Sequence, residues 1–143
     1  MNKFSENNYL SPILVISKNI LEGQEGESFG LEKILEMIKN FPKAGFVVID
    51  YSLGDFRKIK SEASCRVLSY GFEAEADLRV TDFNIGDNGT NFKINYDGKS
   101  IPFWIEQKIS EEETNNLLAA ILVLAINKVN LVEISQLFKS RNF

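Results

Sequence analysis

Hydrophobic and polar positions follow three rhythms along this chain, and each predicts a different kind of element. The first is an unbroken apolar run. Ile13-Leu14-Val15-Ile16 follows Pro12 and is closed by Ser17-Lys18-Asn19; Phe46-Val47-Val48-Ile49-Asp50 follows Gly45. Short β-branched runs of this kind predict strands covered on both faces, as in a parallel sheet. Residues 65–70 read as a third strand. The second rhythm is helical. Leu31, Ile34, Leu35, Ile38 and Phe41 recur with Glu32, Lys33, Glu36 and Lys39 between them. That spacing predicts an amphipathic helix, stopped by Pro42. Gly23, Gly26 and Gly30 mark a loop ahead of it. Strand, helix and strand in this order predict a right-handed βαβ unit. A short helix over 54–60, with Phe56 and Ile59 inward, fits before the third strand.

The third rhythm has period two and begins after Gly71. Leu78 and Val80, then Phe92, Ile94 and Tyr96, then Ile101, Phe103 and Ile105 alternate with polar residues. Such segments are strands with one wet face. Asp87-Asn88-Gly89 and Asp97-Gly98 are the turns between them, Asp-Gly favouring a two-residue hairpin. Pro102 suits an edge strand. An antiparallel three-stranded meander is therefore expected over 76–106.

Two helices finish the chain. Residues 117–126 are apolar at every position. A helix apolar all round is expected to be buried on most sides, and this one is too short for a bilayer, which takes roughly twenty residues. Asn115 and Asn116 stand at its polar start, where free N–H groups and the positive dipole end collect. Either one of them caps the helix, or they meet a ligand there. The last helix begins at Asn130, with Glu133 three residues on in a variant capping box. Leu131, Ile134, Leu137 and Phe138 form its expected inner face. The fold class is α/β: a partial parallel sheet with flanking helices, an antiparallel three-stranded meander and two C-terminal helices. Residues 1–143 read as one domain, with a βαβ part at 1–75, the meander at 76–106 and the helical pair at 111–143.

Composition narrows the chemistry. A hydrophobic fraction of 44% over 143 residues is that of a globular core. The formal charge of −4, without a dense Lys/Arg run, argues against nucleic acid as a partner. The absence of histidine removes Cys/His zinc sites, Ser-His-Asp triads and Cys-His dyads together. Cys65, the single cysteine, allows no internal disulfide and reads as a small buried hydrophobe. Residues 1–9 are polar and carry no apolar signal region, so a cytoplasmic protein without membrane contact is expected. No Gly-x-x-x-x-Gly-Lys-Ser/Thr occurs, and no G-x-G-x-x-G follows a strand. Glu111-Glu112-Glu113 would pair with a helix dipole or, alternatively, hold Mg²⁺. Asp50 and Asp55 flank the end of the second strand, where open α/β sheets bind ligands; capping and turn roles compete with that reading.

The order of motifs resembles the second half of the central, ATP-binding domain of the Mur ligase family. Within it, the chain looks most like the members that add D-alanyl-D-alanine to a UDP-muramoyl-tripeptide. "PILVISKNI" at 12–20 is similar to the family's "P-x-x-A-V-I-T-N-I" strand. Residues 46–50 resemble the strand that ends in Asn-Ala-Asp-Asp. "RVLSYG" at 66–71, followed by "ADLRVTDF", resembles "R-x-x-T-F-G … A-D-V-x-A". Asn116-Leu117-Leu118-Ala119-Ala120 resembles "N-A-L-A-A" at the start of the long core helix.

The resemblance implies an ATP- and Mg²⁺-dependent ligase of peptidoglycan precursor synthesis, working through an acyl-phosphate. It also implies an adenine-side role for Asn116 and a site role for Asn19. Several family positions are changed. The metal-site histidine falls near Gln24, Asn-Ala-Asp-Asp becomes Asp50-Tyr51-Ser52-Leu53, and the His-Asn ahead of the core helix is Glu112-Glu113. The family's modified lysine has only Lys39, one residue out of register, as its counterpart. Gln24, Lys39 and Glu113 are thus the remaining, weak metal candidates. The family's phosphate loop and third domain have no counterpart here. The expectation is a fragment or degenerate relative of a Mur-type ligase that binds ATP and Mg²⁺ poorly and does not catalyse alone. The alternative is a non-catalytic binding or scaffold module. A separate phosphate-loop subunit, or self-association, would complete the sheet.

Overall fold

The computed structural model describes residues 11–18 and 30–139. They form one six-stranded sheet in the order β1 to β6: Ile13–Ile16, Phe46–Asp50, Arg66–Gly71, Leu78–Gly86, Gly89–Tyr96 and Lys99–Ile105. Four helices accompany it among the described residues: α1 (Gly30–Lys39), α2 (Phe56–Glu62), α3 (Glu111–Ile126) and α4 (Leu131–Lys139). β1, β2 and β3 are parallel, and β4, β5 and β6 form the expected antiparallel meander. The two parts are fused where β4 pairs parallel to β3 over only two positions, Tyr70 with Leu78 and Gly71 with Arg79. The Asp77 carboxylate locks that junction, accepting from the Ser69 amide at 2.8 Å, while the Asp77 amide donates to the Ser69 hydroxyl at 3.0 Å.

Side chains alternate across the sheet, so each parallel strand feeds two cores. Val47, Ile49 and Val67 pack with Ile34, Ile38 and Ile59 of α1 and α2 on one face. Val48, Leu68 and Tyr70 pack on the other face with Leu118, Ile121 and Leu122 of α3, and the meander adds Phe92, Ile94 and Phe103. Helices on both faces explain the unbroken apolar runs of the parallel strands. The Asp97-Gly98 turn has φ of 52° and 78°, the pair of left-handed residues that a type I′ hairpin needs. Pro102 lies on the edge strand β6.

Some expectations change. α3 begins six residues before its apolar run, at Glu111. Ser110 caps it in a full capping box, its hydroxyl accepting from the Glu113 amide and its own amide donating to Glu113 Oε1, each at 3.0 Å. The three glutamates therefore form the first helical turn, and neither Asn115 nor Asn116 is a cap. Nor is α3 buried on most sides: Thr114, Leu118, Ile121 and Leu122 are buried, but Leu117, Val123 and Leu124 are half-buried and Ala120 is exposed. One sheet face cannot cover a whole cylinder. On α4, Leu131, Ile134 and Phe138 face inward while Leu137 is 46% exposed. Cys65 is half-buried against the α1–α2 core, and burial pushes its thiol pKa up.

The path into α3 is fixed by one hydroxyl. Buried Thr90 donates to the Gln107 carbonyl at 2.8 Å and accepts from the Ile109 amide at 2.9 Å. Thr90→Val keeps the shape but orphans a buried amide, a loss of about 1–3 kcal/mol. Urea unfolding of the two proteins should show that loss. Equal stability would mean that the 106–110 segment holds its course without the hydroxyl.

Candidate functional site

β2 ends in Asp50, two residues after Val48 and on the same face, so its side chain points toward α3. There it meets the second turn of the helix. Asp50 Oδ2 accepts from Asn115 Nδ2 at 2.9 Å, and Oδ1 accepts from the Ser52 amide at 2.9 Å and hydroxyl at 2.8 Å. Asp50 is only 3% exposed. A buried carboxylate is tolerable only when hydrogen-bonded, and three donors meet that demand. The Ser52 contacts are the turn role expected of Asp50; Asp55 sits at the start of α2 without a side-chain cap bond.

Above this pair opens a cleft of about 440 Å³ at the C-terminal ends of the parallel strands. Lys18 approaches it beyond β1, Asp50 and Ser52 from the end of β2, and Phe72 and Glu73 beyond β3. Glu111, Glu112, Asn115 and Asn116 close it from the start of α3. Asn115 is half-buried and tied to Asp50, whereas Asn116 is exposed at the mouth and its side chain makes no hydrogen bond to a described residue. Four carboxylates face one ammonium. Tyr70, below Asp50 in the sheet core, has its phenol pKa pushed up by burial and further by the Asp50 charge. It remains protonated and supplies no nucleophile.

The other sequence candidates lie elsewhere. Lys39 pairs with Glu62 at 3.3 Å and does not line the cleft. Glu113 is spent on the capping box. Asn19 and Gln24 lie outside the described residues. Among the described residues no group of three or more Asp, Glu or Cys side chains is placed to hold a metal ion. Asp50, the most buried acid of the cleft, already has both oxygens occupied. The described residues thus do not form a Mg²⁺ site by themselves. Phe72 gives the cleft an apolar wall, and Asn116 presents an exposed side-chain amide at its mouth. Sequence reasoning missed the Asp50–Asn115 link, because nothing in the pattern relates two residues 65 apart.

Parallel strands with helices on both faces and a cleft at the strand ends define an open α/β domain, a class in which ligands are taken at that edge. The chain belongs to the Mur ligase middle domain family, whose model matches residues 31–124. A UDP-N-acetylmuramate–L-alanine ligase of Francisella tularensis is 30% identical over 105 residues, 68% of this chain and 23% of that protein. The corresponding ligase of Geobacter is 27% identical over 82% of this chain and 26% of its own length. The chain therefore spans about a quarter of the curated relatives it matches. The fold is shared with solved structures at lower identity. MurF of Acinetobacter baumannii superposes with a TM-score of 0.70 at 19% identity, over 90% of this chain and 29% of that one. A UDP-N-acetylmuramoyl-L-alanyl-D-glutamate–2,6-diaminopimelate ligase gives 0.72 at 16%, over 92% and 28%.

The Asp50–Asn115 pair should behave as one unit. Asp50→Ala and Asn115→Ala should each destabilise the protein. The double variant should lose less than the sum, with a coupling of about 0.5–3 kcal/mol. Denaturant melts of the four proteins measure this, and strict additivity would show that the contact contributes nothing.

Proposed function

We propose that this chain supplies the nucleoside side of the ATP site in a Mur-type ligation, joining an amino acid or peptide to a peptidoglycan precursor in the cytoplasm. The observation that carries the reading is the strand-end cleft with Asn116 unpaired at its mouth. Family membership supports it, and so does a MurF relative from Thermotoga maritima solved in complex with ADP, which shares the fold at a TM-score of 0.64. ATP supplies the phosphoryl group of such a reaction. This chain's own residues orient the nucleoside: the Asn116 amide offers a donor and an acceptor to a base edge, and Asp50 holds Asn115, and with it the helix turn, in place.

The 143 residues include no phosphate-loop sequence, and the acidic lining repels an uncompensated polyphosphate. Phosphate binding and catalysis therefore need groups from outside them, on a separate subunit or a further segment. β1 favours such a partner. It is the outermost parallel strand among the described residues, apolar at all four positions, with Ile13, Leu14 and Val15 only half-buried. Such an edge invites pairing with another strand.

Three outcomes are expected. Adenosine should raise the melting temperature, and Asn116→Ala should weaken that response about tenfold while leaving the unliganded melt unchanged. The 143-residue chain should release no phosphate from ATP. An Asn116→Ala protein that responds to adenosine like the parent would remove the nucleoside reading and leave the scaffold alternative. Sedimentation equilibrium at micromolar concentration should show self-association through the open edge. A monomer that binds no hydrophobic dye would mean the fold closes on itself.

A further inference from the structure

A second cleft, of about 420 Å³, lies at the opposite end of the sheet, where β2 and β3 begin and α3 ends. Its floor is apolar: Phe46 and Leu68 from the strands, and Ala125, Ile126 and Val129 from the end of α3 and the loop beyond. Its rim is basic. Arg66, Lys99 and Lys128 surround it against a single carboxylate, Asp97. This local excess of positive charge stands on a chain of net charge −4. Arg66 is stacked over the Phe46 ring at 5.6 Å, and neither Lys99 nor Lys128 forms an ion pair with a described residue. The Tyr96 phenol completes the wall, and Asn130 caps the start of α4 beside it, accepting from the Val132 amide at 2.7 Å.

Lys128 occupies its place at a cost. The Lys128 amide donates to the Ala125 carbonyl at 3.0 Å and the Val129 amide to that of Leu124 at 3.1 Å, a Schellman ending for α3. The residue after the cap in that motif is left-handed and is usually glycine. Here it is a lysine with φ of 70°. Any side chain is disfavoured in that conformation, so the fold alone would be better served by glycine. A lysine held there places its ammonium on the rim of a cleft that already carries Arg66 and Lys99.

The geometry points to a second ligand site, distinct from the strand-end cleft: an anion site for a small phosphate monoester with an apolar ring. The ring lies on the Phe46–Leu68–Ile126 floor and the phosphate meets Arg66, Lys99 and Lys128. Apolar floor and charged rim must act together, because three exposed cations alone bind phosphate only weakly in salt.

The test titrates the full chain with 2-naphthyl phosphate, following backbone amides by NMR. Naphthol and inorganic phosphate serve as the body and the head alone. Naphthyl phosphate should shift the amides of Phe46, Lys99 and Val129. Each half-ligand should bind at least tenfold more weakly. Lys128→Gly should melt a few degrees higher than the parent yet bind severalfold more weakly; Lys99→Ala, at the exposed first position of β6, should bind more weakly with an unchanged melt. Shifts confined to the strand-end cleft, equal binding of inorganic phosphate, or a Lys128→Gly protein with undiminished affinity would each overturn the proposal.

Discussion

The hydrogen bond from Asn115 to Asp50 sets the register of the whole α3 face. Asp50 is buried because β2 runs through the middle of the parallel sheet, and a buried carboxylate must find donors. Ser52 satisfies one oxygen locally; the other is satisfied only if α3 places its second turn above the end of β2. Once Asn115 is there, helical periodicity brings Leu118, Ile121 and Leu122 down onto Val48, Leu68 and Tyr70. Rotating α3 by one residue would point these apolar side chains away from the sheet and leave Asp50 one donor short. A polar contact and an apolar core thus require the same placement.

That placement also decides where clefts can exist. At 1.5 Å per residue a 16-residue helix is roughly 24 Å long, more than β2 or β3 can cover. α3 therefore overhangs the parallel strands, and a cleft opens at each end, bounded by strand termini below and a helix terminus above. The meander, reached through the two-residue pairing of β3 with β4, closes the side of the second cleft with Tyr96 and Lys99.

The strands were legible in the sequence because burial leaves a direct trace there. Two-sided burial gave the unbroken runs at 13–16 and 46–50, one-sided burial gave the alternation over 78–105, and Asp97-Gly98 named its own turn. The start of α3 was legible in principle, since Ser110 and Glu113 have capping-box spacing, but the apolar run begins six residues after the helix does. Leu137 misled because its spacing fits the inner stripe of α4 while the sheet reaches only Leu131, Ile134 and Phe138. Of the candidate site, Asn116 and Asp50 could be read from the motifs and from the strand end. The bond joining Asp50 to Asn115, and the left-handed backbone at Lys128, have no local signature: one depends on tertiary placement, and the other lacks the glycine that would announce it.

The opposite charges of the two clefts follow in part from α3 itself. Its amino end carries the positive end of the helix dipole and is matched by Glu111, Glu112 and Glu113; its carboxyl end is negative and is followed by Lys128. Complementing a dipole in this way is worth about 0.3–1 kcal/mol per charge. It does not require a lysine in a left-handed conformation, since a cation one turn earlier would serve as well without strain. It does not explain Arg66 or Lys99 either, which come from the start of β3 and from the hairpin, outside the helix. Cations contributed by three separate elements to one apolar-floored cleft need a cause beyond the helix, and an anion that they bind in common supplies one.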